Sequence, residues 1–166
     1  MRILGIDPGY GTTGFGIVEA QRNNFRLLQY GAITTPPGTD FPLRLQMIYN
    51  DMTELLQVAK PDCVAIEELF FGQNVTTGIG VAQSRGVILL AIQQAGVPIY
   101  QYKPMQVKQS VVGYGRATKH QVQDMTKRIL RLNATPKPDD AADAIAIALC
   151  HARSSTSLLA QVQNKC

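Results

Sequence analysis

The stretch Arg2-Ile3-Leu4-Gly5-Ile6-Asp7-Pro8-Gly9-Tyr10-Gly11 decides how the rest of the chain is read. Arg2 to Asp7 is an apolar run of strand length. Asp7-Pro8-Gly9-Tyr10-Gly11 is a turn, because Pro removes a backbone donor and Gly permits tight backbone geometry. Thr13 to Ala20 then alternates small and apolar residues, Asn23-Asn24 suggests a second turn, and Phe25 to Thr34 reads as a third strand closed by Pro36-Pro37-Gly38. Three strands joined by turns this short are antiparallel neighbours in a meander.

Beyond Pro42 the apolar period lengthens. Leu45, Ile48, Met52, Leu55 and Leu56 predict a helix that runs to Pro61. Cys63 to Glu67 is a short strand with no polar alternation, the mark of burial on both faces. Thr76 to Gln94 predicts a long apolar helix and Val97 to Tyr102 a fifth strand. Strand, helix, strand, helix, strand implies parallel pairing through right-handed crossovers.

Past Pro104 the pattern is helical, interrupted by the loop Gly113-Tyr114-Gly115-Arg116. Thr118-Lys119-His120-Gln121 is a capping box opening a helix with Val122, Met125, Ile129 and Leu132 on one face. Pro138 opens a last Ala-rich helix expected through His151. The fold class is therefore α/β: a mixed five-stranded sheet of order βββαβαβ, followed by helices, with helices on both faces. One domain is expected over 1–153, and 154–166 read as a polar tail.

Composition narrows the function. The chain has 166 residues, 45% of them hydrophobic and 17% charged, which excludes disorder and leaves room for one domain. No apolar run approaches the roughly 18 residues of a membrane span, and Asp7 interrupts the N-terminus before a signal-peptide core could form. Cys63, Cys150 and Cys166 form no Cys-x-x-Cys pair. A soluble, cytoplasmic protein of a reducing compartment, with no membrane partner, is the expectation. Charge is unevenly spread: residues 1–83 hold five Lys/Arg against eight Asp/Glu, whereas 84–166 hold eleven against four. Seven basic residues and one acid, Asp124, lie between Lys103 and Arg131. Such a block is either a solvated helix face or a phosphate-binding surface.

The acids carry the chemistry. Asp7 ends the first strand, Glu67 and Glu68 end the fourth, and Asp140 and Asp143 share a face of the last helix, three residues apart. Each has a plain reading by itself: Asp7 as a turn former, Glu67-Glu68 as a solvated strand end, and Asp139, Asp140 and Asp143 as acids favoured by a helix N-terminus. His120 reads as an exposed neighbour of the cap and His151 as a cation at a helix end. Three acidic clusters at one predicted sheet edge are not explained by those readings taken singly. Carboxylates gathered there repel one another, and an oxygen-only set without His or Cys suits Mg²⁺ or Mn²⁺. Two such ions about 4 Å apart are a phosphoryl-transfer device. Two other classes fit less well. Gly5-Ile-Asp7-Pro-Gly9 also reads as the first phosphate loop of an actin- or sugar-kinase-like ATPase, but such an enzyme needs two lobes and a second Gly-rich loop near the C-terminus. A non-catalytic DNA-binding module using the basic half leaves the convergent acids unexplained. The Gly-rich turn at Gly9, Gly11, Gly14 and Gly16 is by itself a weak phosphate-cradle signal.

Four motifs then resemble one family: Ile3-Leu-Gly-Ile-Asp7-Pro-Gly, Ala65-Ile-Glu67-Glu-Leu-Phe70, Gln106-Val-Lys108-Gln-Ser-Val-Val-Gly113 and Asp140-Ala-Ala-Asp143-Ala. In this order they resemble the RuvC-type crossover junction endodeoxyribonucleases, which resolve Holliday junctions and have a ribonuclease-H-like fold. The resemblance implies that Asp7, Glu67, Asp140 and Asp143 are catalytic and hold two Mg²⁺ ions, with Mn²⁺ able to substitute. It picks Glu67 over Glu68 and Asp140 over Asp139. It implies Lys108 and Lys119 beside the scissile phosphate, Phe70 stacked on opened bases, and Arg116 on DNA. The implied partners are four-way junction DNA and the RuvAB branch-migration complex. Two nicks related by a two-fold axis call for a C₂ homodimer, for which the helix Thr76 to Gln94 is the candidate interface. The expected activity is paired symmetric nicking during recombination and repair.

Overall fold

The alternation of the first strand divides the core in two. In the computed structural model, which describes residues 1–69 and 75–156, Ile3 packs on one side of the sheet and Leu4 and Ile6 on the other. The five strands are β1 (Arg2–Asp7), β2 (Thr12–Gln21), β3 (Asn24–Thr34), β4 (Cys63–Glu67) and β5 (Ile99–Tyr102), in the order β3-β2-β1-β4-β5. β1, β2 and β3 pair antiparallel, while β4 joins β1 and β5 in parallel. This is the mixed sheet the sequence predicts. Helices α1 (Phe41–Ala59) and α2 (Val75–Gln94) cover one face. Helices α3 (Pro104–Val112), α4 (Lys119–Ile129) and α5 (Asp139–Thr156) cover the other.

Local chemistry explains most boundaries. Proline opens α1, and the helix ends at Lys60, whose N–H still donates to the Leu56 carbonyl while its left-handed backbone turns the chain out of the helix. The capping box of α4 forms as expected: the Gln121 N–H donates to Thr118 Oγ1, and the Thr118 N–H donates to Gln121 Oε1. Three expectations shift. The β2–β3 hairpin turn falls on Arg22-Asn23, so that β3 already starts at Asn24. β5 starts at Ile99 rather than Val97, because the Val97 N–H bonds back to Ile92 at the end of α2 and Pro98 has no N–H to give. α5 passes His151 and continues to Thr156, taking in the first residues of the expected tail. Ser154 and Ser155 hydroxyls donate to the Cys150 and Ala152 carbonyls, and Arg153 donates to the Ser110 carbonyl of α3. His151 is therefore not a cation at a helix end. It is buried, burial lowers its pKa, and its Nδ1 lies 2.7 Å from the Tyr102 hydroxyl. No helix among the described residues is long and apolar enough to cross a membrane.

The composition of α5 follows from where it lies. It runs between the sheet and α3 and α4, and residues 141–142 and 144–152 are buried. Alanine on its sheet side meets glycine on the strands. A Cβ added to Gly5 would stand 2.0 Å from the Ala144 carbonyl oxygen, and one added to Gly14 would stand 2.0 Å from the Asp140 carbonyl oxygen. Neither approach leaves room for any side chain. Gly5→Ala or Gly14→Ala must push α5 off the sheet, an overpacking cost of roughly 1–3 kcal/mol. We expect a fall in Tm of several degrees for either variant, measured by thermal unfolding, against little change for Gly11→Ala. At Gly11 a Cβ meets nothing closer than Arg44 Nη2 at 3.8 Å.

Candidate active site

Strand register brings the acids together. The last β1–β4 pair is Ile6 with Ile66, so Asp7 and Glu67 stand one residue beyond it on adjacent parallel strands, at the same carboxyl edge. In the β1–β2 ladder Asp7 pairs with Gly14, the residue against whose backbone the Asp140 carbonyl rests. Docking of α5 at Gly14 thus sets its first turn beside Asp7. Asp7, Glu67 and Asp143 line one cavity of about 180 Å³, which Lys108 of α3 and Lys119 of α4 also line. Pro104, Val107, Val122, Ala146 and Ile147 supply its apolar lining.

These carboxyls are held under electrostatic tension. Burial pushes the Asp7 pKa up from 3.8 to about 8, and the charges of Glu67, Asp143 and Asp140 push in the same direction. Glu67 rises to about 7, first through burial and then through Asp143, with Lys108 opposing. Asp143 has a partner: Lys119 Nζ lies 2.9 Å from its Oδ2 and 3.7 Å from Asp139 Oδ2. That hydrogen bond to Asp143 raises the Lys119 pKa. Asp139 is drawn outward by Lys137 at 2.7 Å, which lowers its own pKa. Nothing in the sequence spacing signals the Lys119–Asp143 pair, because it closes between two helices.

The structure brings Asp7, Glu67, Asp143, Lys108 and Lys119 to one cavity. Asp140 is not among the residues lining it, and acts on Asp7 through charge and on Gly14 through its backbone. Arg116 is exposed in the loop between α3 and α4 and does not line the cavity. His120 is exposed, as expected of a neighbour of the cap. Phe70 lies outside the described residues. Among the described residues no group of three or more His, Cys, Asp or Glu side chains forms a metal cage as placed. The cation beside Asp143 is the Lys119 ammonium. Of the four glycines read as a weak phosphate cradle, Gly14 and Gly16 lie under Asp140 and Ile145 of α5.

A β3-β2-β1-β4-β5 mixed sheet, flanked on both faces by helices and carrying carboxylates at the ends of β1 and β4, defines the ribonuclease-H-like nucleases. The family model described as "Crossover junction endodeoxyribonuclease RuvC" matches residues 3–151. The chain belongs to the RuvC family. It is 55% identical over 153 residues to the crossover junction endodeoxyribonuclease RuvC of Brevibacillus brevis, covering 92% of each chain. It is 52% identical over 158 residues to that of Chloroflexus aurantiacus, covering 95% of this chain and 96% of the relative. Among solved structures, Thermus thermophilus RuvC in complex with a Holliday junction substrate superposes with a TM-score of 0.88 at 39% identity, covering 94% and 95% of the two chains.

The raised carboxyl pKa values make a stability prediction whose sign is definite. Both groups bind protons more readily folded than unfolded, so their contribution is fully present at low pH and is lost as pH rises through about 7 for Glu67 and about 8 for Asp7. In metal-free buffer above pH 8, Asp7→Asn should therefore melt higher than wild type by at least about 2–4 °C, the equivalent of roughly 1 kcal/mol at this size. The gap should close toward pH 4. A difference in Tm independent of pH would contradict this account.

Proposed function

We propose that the chain is a metal-dependent, structure-selective endonuclease that resolves four-way DNA junctions by paired symmetric nicks during homologous recombination and repair. The observation that carries the reading is the pair of raised carboxyls, Asp7 and Glu67, packed with Asp143 at one sheet edge. Buried acids short of compensating positive charge, presenting oxygen and nothing softer, fit a hard divalent cation. Asp7, Glu67, Asp140 and Asp143 would hold two Mg²⁺ ions, with Mn²⁺ able to substitute. When bound, the metals supply an activated water and charge neutralisation at the leaving oxygen.

The chain's own groups do the rest. Lys119 is paired with Asp143 at 2.9 Å, and with that carboxylate holding a cation its ammonium would be available to the scissile phosphate. Lys108, which also lines the cavity, balances charge on that phosphate as the pentavalent centre develops. Arg116 and the other basic residues from Lys103 to Arg131 grip the backbone of the junction, and Phe70 stacks on bases at the crossover. The RuvAB branch-migration complex is the motor partner that the family resemblance implies. A homodimer supplies the second nick. α2 supports this through an exposed stripe of Ile79, Gln83, Gly86, Leu90 and Gln93, with Ile79 and Leu90 each about half exposed, at 53% and 51%. Its other side, with Ile88, Ala91 and Ile92, is already buried in its own domain.

Three measurements test this. On a labelled synthetic junction, Asp7→Asn and Asp143→Asn should lose at least about 10³-fold in cleavage while still binding the junction without metal, and Glu54→Gln on α1 should cleave normally. Near wild-type cleavage by either Asn variant overturns the assignment. Junction affinity should fall with salt at about 0.9 logarithmic units per phosphate contact, and a flat response would leave the basic block as a solvated face. Sedimentation should report twice the monomer mass, with Leu90→Arg reduced to the monomer.

A further inference from the structure

α2 carries one charged residue in twenty, Arg85. A guanidinium on an otherwise uncharged helix packed against a sheet is costly, and burial does lower its pKa, with the Glu68 carboxylate pulling the other way. Its contacts show what it does there. Arg85 Nε donates to the Glu67 carbonyl at 3.0 Å, and Arg85 Nη2 donates to the Gln101 side-chain oxygen on β5. The Glu68 N–H donates to the Tyr102 carbonyl at 2.8 Å. Both polar atoms of the Glu67–Glu68 peptide are therefore engaged, one by α2 and one by β5.

This peptide lies just past the last β1–β4 pair, Ile6 with Ile66, where the chain leaving the sheet loses one of its two ladders. Its orientation sets the backbone angle that follows the Glu67 Cα, and hence where the Glu67 carboxylate points. A guanidinium is suited to this task because it is planar, and two of its nitrogens grip two acceptors at a fixed angle. We infer that Arg85 is a positioning residue for the metal site: anchored on Gln101, it clamps the Glu67–Glu68 peptide and so aims the Glu67 carboxylate into the cavity. This rests on the proposal that Glu67 is a metal ligand. Because α2 also bears the exposed stripe assigned to the second protomer, the same guanidinium ties that interface to the site.

The test compares Arg85→Met, Arg85→Lys and Gln101→Ala with wild type by two readouts: the rise in Tm on adding Mg²⁺, and the Mg²⁺ concentration giving half-maximal junction cleavage. Loss of a group that orients a metal ligand costs about 10–100-fold in metal affinity. Arg85→Met should therefore need at least about tenfold more Mg²⁺ for half-maximal cleavage, regain most of its rate at saturating Mg²⁺, and show a smaller Mg²⁺-induced rise in Tm. Arg85→Lys, which keeps one donor, should fall between Met and wild type, and Gln101→Ala should show a weaker form of the same shift. Sedimentation of each variant checks that the assembly is intact. Wild-type Mg²⁺ dependence in a folded Arg85→Met overturns the inference, as does a loss of rate at saturating Mg²⁺ with an unchanged half-maximal concentration. If Arg85→Met does not fold, the other two variants decide, and a wild-type metal response in both overturns it. A wild type with no Mg²⁺ response in either readout overturns the metal reading along with this one, whereas a normal wild-type response confines the failure to Arg85.

Discussion

The site depends on one close contact: the backbone of α5 lying directly on the glycines of β1 and β2. At Gly5 and Gly14 the helix approaches so near that a single methyl group would overlap a carbonyl oxygen. Gly14 pairs with Asp7, and α5 begins with the acids, so this contact converts a packing fact into a chemical one. The alanines of α5 and the glycines of the strands are two halves of the same requirement. Large side chains on either side would give a better-filled core and a dispersed set of carboxylates.

That arrangement sets folding against chemistry. An apolar cavity wall and neighbouring acids raise Asp7 and Glu67 far above their ordinary range, so the folded chain holds its charged site at a cost. Strain of this kind persists only where the surrounding packing can carry it. Here the flanking clusters are large, with Leu4, Ile6, Val64 and Ile66 on one side and Ile3, Ile145, Ile147 and Leu149 on the other. Lys119 relieves part of the tension by pairing with Asp143, and it can release that carboxylate because both groups remain partly open to water.

The two faces of the sheet divide the work. α3 and α4 contribute Lys108 and Lys119 to the cavity, so basic side chains and the acids meet at one edge. α1 and α2 pack their apolar faces on the opposite side of the sheet, and Arg85 of α2 reaches round to the Glu67 carbonyl. A second copy docked on α2 would leave the basic face of each protomer free for DNA.

Much of this was legible in the chain itself. The switch of apolar period near Pro42, the short unalternated run Cys63 to Glu67 and the box Thr118 to Gln121 are local signals, and the meander, the parallel crossover and the α4 start follow from them. The acids were legible as candidates because strand ends and helix starts can be counted along the sequence. What the sequence could not show is contact across elements. Val97 closes a helix where an apolar pattern suggests strand, and His151 is buried against Tyr102 where a polar residue near a helix end suggests a surface cation. The pairs Lys119–Asp143 and Arg85–Glu67 join residues 24 and 18 positions apart, on elements whose spacing carries no trace of the meeting. Periodicity and turn chemistry act within a few residues, so the sequence alone determined which elements form and which face of each is apolar. Close packing of those faces, glycine against alanine, decided which charges meet, because only the docked helices bring side chains from distant segments within a hydrogen bond of one another.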